Sequence, residues 1–264
     1  MATIRQALLA RGETSASVIG LLPLDMQDTG NTGNTPQCIL IIGCSDGIGL
    51  GTARQLVADG WRVVGISRSR GPLDHPDYHH EVLDVARPGF RDRLAEIVSR
   101  EGPFDACLYC AGIGTDCDLT NLNEDLRVFQ VNLMAAVETA AELLPRMVQE
   151  RRGRFVILSS QADALIAPTH PSYAASKAAM SAYFEALALA ARPSGVLVTN
   201  IRFGFVDTKM AKARMKPFLR PTDWAVKIVV RALGGSAIRV TRPRRLVPLV
   251  KLLRWLTDWR IRLS

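Results

Sequence analysis

The chain has 264 residues, 48% hydrophobic and 22% charged, with a net charge of +8. That length suits one α/β domain able to bury a full core, and no apolar run reaches the roughly 18 residues of a membrane-spanning helix. Five cysteines, odd in number and unevenly spaced, argue against a disulfide framework, so the chain reads as cytoplasmic with reduced thiols. Residues 1–36 end in the polar, turn-rich run Thr29-Gly-Asn-Thr-Gly-Asn-Thr-Pro36 and read as a disordered extension or a start assigned too early. A signal peptide fits them poorly, because Pro23 breaks their one apolar patch and no cleavage site follows.

From Gln37 onward strands and helices alternate. The run 38–42 is continuously apolar, as a strand buried on both faces should be. It ends in Gly43-Cys-Ser45-Asp46-Gly47-Ile48-Gly49 and passes at once into a helix over 47–58. Glycines in such a turn let backbone amides approach a pyrophosphate, and the helix N-terminus attracts its charge. The next strand, 61–66, leads to Ser67-Arg68-Ser69-Arg70, where no acid stands to receive a ribose hydroxyl. Neutral and cationic donors at that point favour the 2′-phosphate of NADP(H) over NAD(H).

A third strand is expected over 79–83, ending at Asp84 and Val85. His79-His80 reads as a strand-edge pair with no carboxylate at metal spacing. A helix follows over 90–99 and a strand over 105–109. Cys107 and Cys110 sit three apart there and so face opposite ways, which argues against a redox motif. A long helix is expected over 126–149, kinked at Pro145, then a strand over 154–158.

The Ala- and Leu-rich run 172–191 reads as a helix with Tyr173 and Lys177 on one face. A phenol beside an ammonium is a plausible general acid and base, because a nearby cation favours the phenolate. Ser160, thirteen residues before Tyr173, offers a further hydroxyl. Strands over 196–202 and 238–241 flank a helix over 223–233. The whole pattern predicts a doubly wound parallel sheet with helices on both faces, spanning 37–245.

Gly43-x-x-x-Gly47-Ile48-Gly49, Asp84-Val85, Ala111-Gly112, Asn132, Ser160 and Tyr173-x-x-x-Lys177 stand in the order and approximate spacing of the short-chain dehydrogenase/reductase family. The chain resembles that family over about residues 37 to 240. The resemblance implies a single-domain Rossmann fold and hydride transfer between a nicotinamide and an alcohol or carbonyl, in a homodimer or homotetramer. It implies Tyr173 as acid in reduction and base in oxidation, Lys177 lowering its pKa and holding the nicotinamide ribose, and Ser160 on the substrate oxygen. Asn132 would support a water-linked proton relay, and Asp84 would bond the adenine amino group. Gly204, Val206 and Thr208 would hold the carboxamide.

The chain departs from the family pattern at three places. Ile42 replaces Thr, removing a hydroxyl contact; Tyr109-Cys110 replaces Asn-Asn, removing an amide that ties strands together; Phe203 replaces Pro, bringing an aromatic ring near the nicotinamide.

Around the expected cleft, Ala162, Ala164, Leu165, Ile166 and Ala167 form an apolar wall that fits an apolar carbonyl or alcohol better than a sugar. Residues 207–220, with Lys209, Lys212, Arg214 and Lys216, read as a lid or a solvated helix face. Residues 239–264 carry eight Lys and Arg against the single acid Asp258, a net +7 of the chain's +8. From Pro248 this tail reads as a basic, Trp-containing amphipathic helix. Residues 246–264 fit a membrane surface or docking on the domain itself or a second subunit. Without a recognised motif, the charge does not indicate nucleic acid.

The leading expectation is an NADP(H)-dependent oxidoreductase interconverting an apolar carbonyl and its alcohol. The alternative is a catalytically idle NADP(H)-binding regulatory or interaction protein, motivated by Tyr109-Cys110 and the tail.

Overall fold

The computed structural model describes residues 37–210 and 216–263; the 1–36 extension and positions 211–215 of the expected lid lie outside the described residues. The first apolar run forms β1 (Cys38–Ile42), buried along its whole length. Six more strands follow: β2 (Arg62–Ser67), β3 (Tyr78–Val82), β4 (Ala106–Tyr109), β5 (Gly153–Ser160), β6 (Val196–Phe203) and β7 (Arg239–Arg242). They form one sheet in the order β3-β2-β1-β4-β5-β6-β7. Every pairing is parallel. The chain moves outward from β1 to β3, then returns to the other side of β1 with β4. Beyond the carboxyl ends of β1 and β4 this reversal opens the crevice in which such sheets bind ligands.

Helices cover both faces: α1 (Gly47–Ala58), α2 (Phe90–Glu101), α3 (Asn123–Phe129), α4 (Ala135–Gln149), α5 (Pro171–Ala191) and α6 (Thr222–Leu233), followed by α7 (Val247–Leu263). Alternate residues of each central strand enter opposite cores. Leu40, Ile42, Tyr109 and Phe155 pack with Phe184 on one side; Ile39, Ile41, Leu108 and Phe203 pack with Leu56 and Val229 on the other. Cys107 joins the first core and Cys110 packs against the second, both as free thiols, as strand alternation requires.

Two local expectations change. The single long helix is two, α3 and α4, joined by a π-helical turn at Gln130–Met134, with Pro145 inside α4. At this wide turn the Tyr109 hydroxyl donates to the Val131 carbonyl at 2.5 Å, satisfying a backbone group that an uninterrupted helix would bond internally. His79 lies on the edge strand as expected, but the fold brings Glu81 and Glu101 beside it, with all three ligand atoms within 4.8 Å of one another. Arg62 bonds Glu101 at 3.0 Å and Arg100 bonds both carboxylates, so arginines already satisfy these acids.

The tail is helical from Val247. It turns Val250 inward and leaves its leucines and tryptophans exposed, so its apolar face does not dock on the described part of the domain.

Candidate active site

The glycine turn sets the site's base. Gly43 has φ +91°, and a Cβ there would lie 2.6 Å from the Ala111 nitrogen. A Cβ on Gly49 would lie 2.0 Å from the Gly43 carbonyl oxygen. The turn, the end of β4 and the start of α1 therefore meet at distances only glycine permits. Asp46 is the N-cap residue of α1, yet its side chain makes no capping bond and pairs instead with Lys209 at 3.4 Å. The first-turn amides are left without a side-chain cap, which suits an anion. Ser45 and Ile48 lie in the same turn, and Gly47 faces Thr208, whose Cγ2 would be 3.4 Å from a Cβ there. This cradle fits a dinucleotide pyrophosphate.

Cys110 makes up for the missing amide. Its thiol lies 3.1 Å from the carbonyl oxygens of both Ile42 and Gly43 and donates toward them, so β4 and the glycine turn remain tied.

At the carboxyl end of β2, Ser67 is buried, and its hydroxyl donates to the Ser69 carbonyl at 2.9 Å while lying 3.0 Å from His80 Nε2. Tyr78 Oη is 2.7 Å from His80 Nδ1 and 3.3 Å from Cys44 Sγ. Burial, then the Arg70 and His79 charges, lower the His80 pKa. Ser67 is thus turned inward, and Arg68 and Arg70 are the exposed cations at the strand end. Asp84 accepts from the Ala86 amide at 3.0 Å and lies 3.7 Å from Arg127; Val85 is buried.

The candidate reactive groups gather at the end of β5. Ser160, its last residue, accepts from the Ala162 amide at 3.1 Å, and its hydroxyl is near enough to the Tyr173 phenol to act on that group's pKa. Gly114 lies against the Tyr173 ring, with 3.5 Å from its would-be Cβ to Cδ2. One turn along α5, Lys177 Nζ donates to the Leu158 carbonyl at 2.8 Å. Burial lowers its pKa to about 8, against the opposing effects of Cys110 and Asp163. Burial raises the Tyr173 pKa, the nearby Ser160 hydroxyl lowers it, and Asp163 raises it. The expected depression by Lys177 does not operate in this arrangement, since the ammonium is directed at Leu158.

Asn132 sits in the π turn with no exposed surface. Its Oδ1 accepts from the Ile113 amide at 2.8 Å; its Nδ2 donates to the Ile113 carbonyl at 2.9 Å and to Ser176 Oγ at 3.0 Å. The carboxamide thus ties the β4 exit to α5, and no proton of it is left for a relay. Gly112 marks where the groups converge: a Cβ there would lie 3.3 Å from Met210 Cε, 3.5 Å from Asn132 Oδ1 and 3.6 Å from Lys177 Nζ. Gly204 faces Leu246, Pro243 and Gln161 in the same way, and Val206 is buried beside it. The Phe203 ring does not reach the cleft. It packs in the core 5.9 Å from Trp224.

The main residue not singled out from sequence is Asp163. Its carboxylate is 4% exposed, receives two bonds from Arg202, and accepts from Ser181 Oγ at 2.6 Å. Ser181 lies 2.8 Å from Ser159, whose hydroxyl donates to the Lys177 carbonyl. A signal for this pair was present: Asp163 is the one charge in 161–167 and Arg202 the one charge in β6.

The family model for short chain dehydrogenases matches residues 37–217. The chain belongs to the short-chain dehydrogenase family. This dehydrogenase is 29% identical over 221 residues to an uncharacterized oxidoreductase of Myxococcus xanthus, covering 78% of this chain and 87% of that protein. It is 33% identical over 177 residues to a 3-ketodihydrosphingosine reductase of Bacteroides thetaiotaomicron, covering 66% of this chain and 65% of that protein. Among solved structures, a short chain dehydrogenase of Burkholderia cenocepacia in complex with NADP superposes with a TM-score of 0.75 at 20% identity, over 85% of this chain and 97% of that one. Strand order and crossovers of the dehydrogenase are those of a Rossmann fold.

Proposed function

We propose that the dehydrogenase interconverts an apolar carbonyl compound and its alcohol with NADP(H). The observation that carries this reading is the Ser160–Tyr173–Lys177 group standing over a glycine cradle at the switch point of the sheet. Bound NADPH would supply the hydride. In reduction the Tyr173 phenol gives its proton to the carbonyl oxygen, while the Ser160 hydroxyl donates a hydrogen bond to the same oxygen as charge develops on it. In oxidation the phenolate takes the proton back. The Lys177 ammonium would hold the nicotinamide ribose beside Ala111 and Gly112. Asn132 positions this floor. Gly43 to Gly49 would hold the pyrophosphate, Asp84 and Val85 the adenine, and Gly204, Val206 and Thr208 the carboxamide.

Arg68 and Arg70 support the 2′-phosphate, as does the NADP bound by the Burkholderia cenocepacia neighbour. The half-buried wall of Ala162, Ala164 and Leu165 supports an apolar substrate. So does kinship to a reductase whose name specifies a ketosphingoid. Exposed Leu122, Leu126 and Met134 around α3, with Tyr183 and Leu189 on α5, support assembly into a homodimer or homotetramer. The thiol contacts of Cys110, which keep β4 tied to the glycine turn, support a working site over an idle one.

The test is NADPH consumption against a panel of ketones and aldehydes. Tyr173→Phe should lower kcat about 100-fold or more while NADPH still binds. Turnover unaffected by that substitution would overturn the reading.

A further inference from the structure

The helix α7 carries Leu249, Leu252, Leu256, Trp259 and Leu263 at alternating intervals of three and four, which places them on one face. Trp255 and Leu253 widen that face. It points away from the domain: Trp255 is 61% exposed, Trp259 56% and Leu252 52%. Towards the domain the helix offers buried Val250 and half-buried Thr257 and Asp258. A surface helix that docks on its own core does the reverse.

The charges choose what covers the face. Lys251 and Arg262 border it on one side and Arg260 on the other, with Arg244 and Arg245 at its root. The one acid, Asp258, is paired with Arg254 at 2.9 Å. A second copy packed along this seam would meet Leu253, Trp255, Arg260 and Arg262 at the flanking positions, with no acid to answer the cations. Lipid phosphates would answer them, and indole rings favour the boundary between acyl chains and headgroups. The helix cannot span a bilayer: no described helix is long and apolar enough.

We propose that α7 lies in the surface of an anionic lipid bilayer, its apolar face among the upper acyl chains and its flanking cations at the phosphates. The root of the helix adjoins the candidate site. Leu246 Cδ2 stands 2.8 Å from a would-be Cβ on Gly204, and Gln161, next to Ser160, donates from Nε2 to the Pro243 carbonyl at 3.1 Å. The lipid-bound helix is therefore continuous with residues that adjoin the candidate site.

The test is flotation of the full chain with phosphatidylcholine vesicles, with and without phosphatidylglycerol. The full chain should float with the anionic vesicles at least about tenfold more than with the neutral ones. Leu252→Ser, Trp255→Ser and Trp259→Ser together should abolish that flotation while leaving the NADPH-induced rise in melting temperature unchanged, which separates this outcome from failure of the proposed reaction. The proposal is overturned if the parent chain stays unbound. It is also overturned if the triple variant floats equally well, or if light scattering shows the substitutions breaking a soluble oligomer, which would assign the face to a second copy.

Discussion

Asp163 acts on both groups proposed to move or hold the proton: its negative charge favours the protonated forms of Tyr173 and Lys177. Reduction requires a phenol and an ammonium. The Tyr173 pKa is raised, so the phenol persists at alkaline pH; Lys177, held at about 8, is the first of the two to lose its proton. Reductive kcat/KM, which reports the free enzyme, should therefore be flat in mild acid and fall as pH rises through about 8. Removing the carboxylate lowers the Lys177 pKa further, so Asp163→Asn should move that falling limb to lower pH. It should also destabilise the fold by about 3 kcal/mol, because Arg202 loses its buried partner. A limb that stays in place in the variant contradicts the assignment.

At this scale Ser160, Tyr173 and Lys177 were legible because strand end and helix lie close together in sequence. The inward turn of Ser67 was not, because its partner His80 arrives from the neighbouring strand thirteen positions later. Nor was the direction of the Lys177 ammonium, which a backbone carbonyl of β5 decides.

Among the elements, the junction between α3 and α4 is the least legible and the most consequential. An apolar helical pattern continues almost unchanged through a π turn, since only one residue is added. The turn becomes visible once Tyr109, on a different element, is seen to hold Val131 and Asn132 to hold Ile113. Tyr109→Phe would leave that carbonyl buried without its donor and should cost about 1–3 kcal/mol in urea unfolding. Unchanged stability would mean that the hydroxyl does not hold the turn. The glycine turn, in contrast, was fully legible, because its residues are contiguous. Gly49→Ala would press a methyl group onto the Gly43 carbonyl and should weaken NADPH binding at least about tenfold, read by fluorescence titration, through loss of well over 1 kcal/mol of contact.

For the molecule as a whole, alternation of strand and helix was enough to foresee the parallel sheet, since only crossover connections join parallel strands. The cofactor preference is tested best at this level. A ligand that binds only the folded chain raises its stability by about 2.7 kcal/mol at a hundred times Kd, roughly 5–10 °C in melting temperature for a domain of this size. NADPH should give such a rise and NADH a smaller one at equal concentration. Arg68→Ala should bring the NADPH shift down to that of NADH. Equal shifts before and after the substitution would exclude Arg68 from phosphate recognition.

The Gln161–Pro243 bond and the Leu246–Gly204 contact have a practical consequence for anyone who trims or tags this protein. The stretch joining β7 to α7 packs against Gln161 and Gly204 beside the candidate site, and so would wall the proposed reaction cleft as well as carry the last helix. A C-terminal fusion or a shortened version that begins before Val250 would open that wall, and its activity would report damage to the cleft. Cuts placed after Val250 spare the wall, so they alone separate what the helix does from what its root supports.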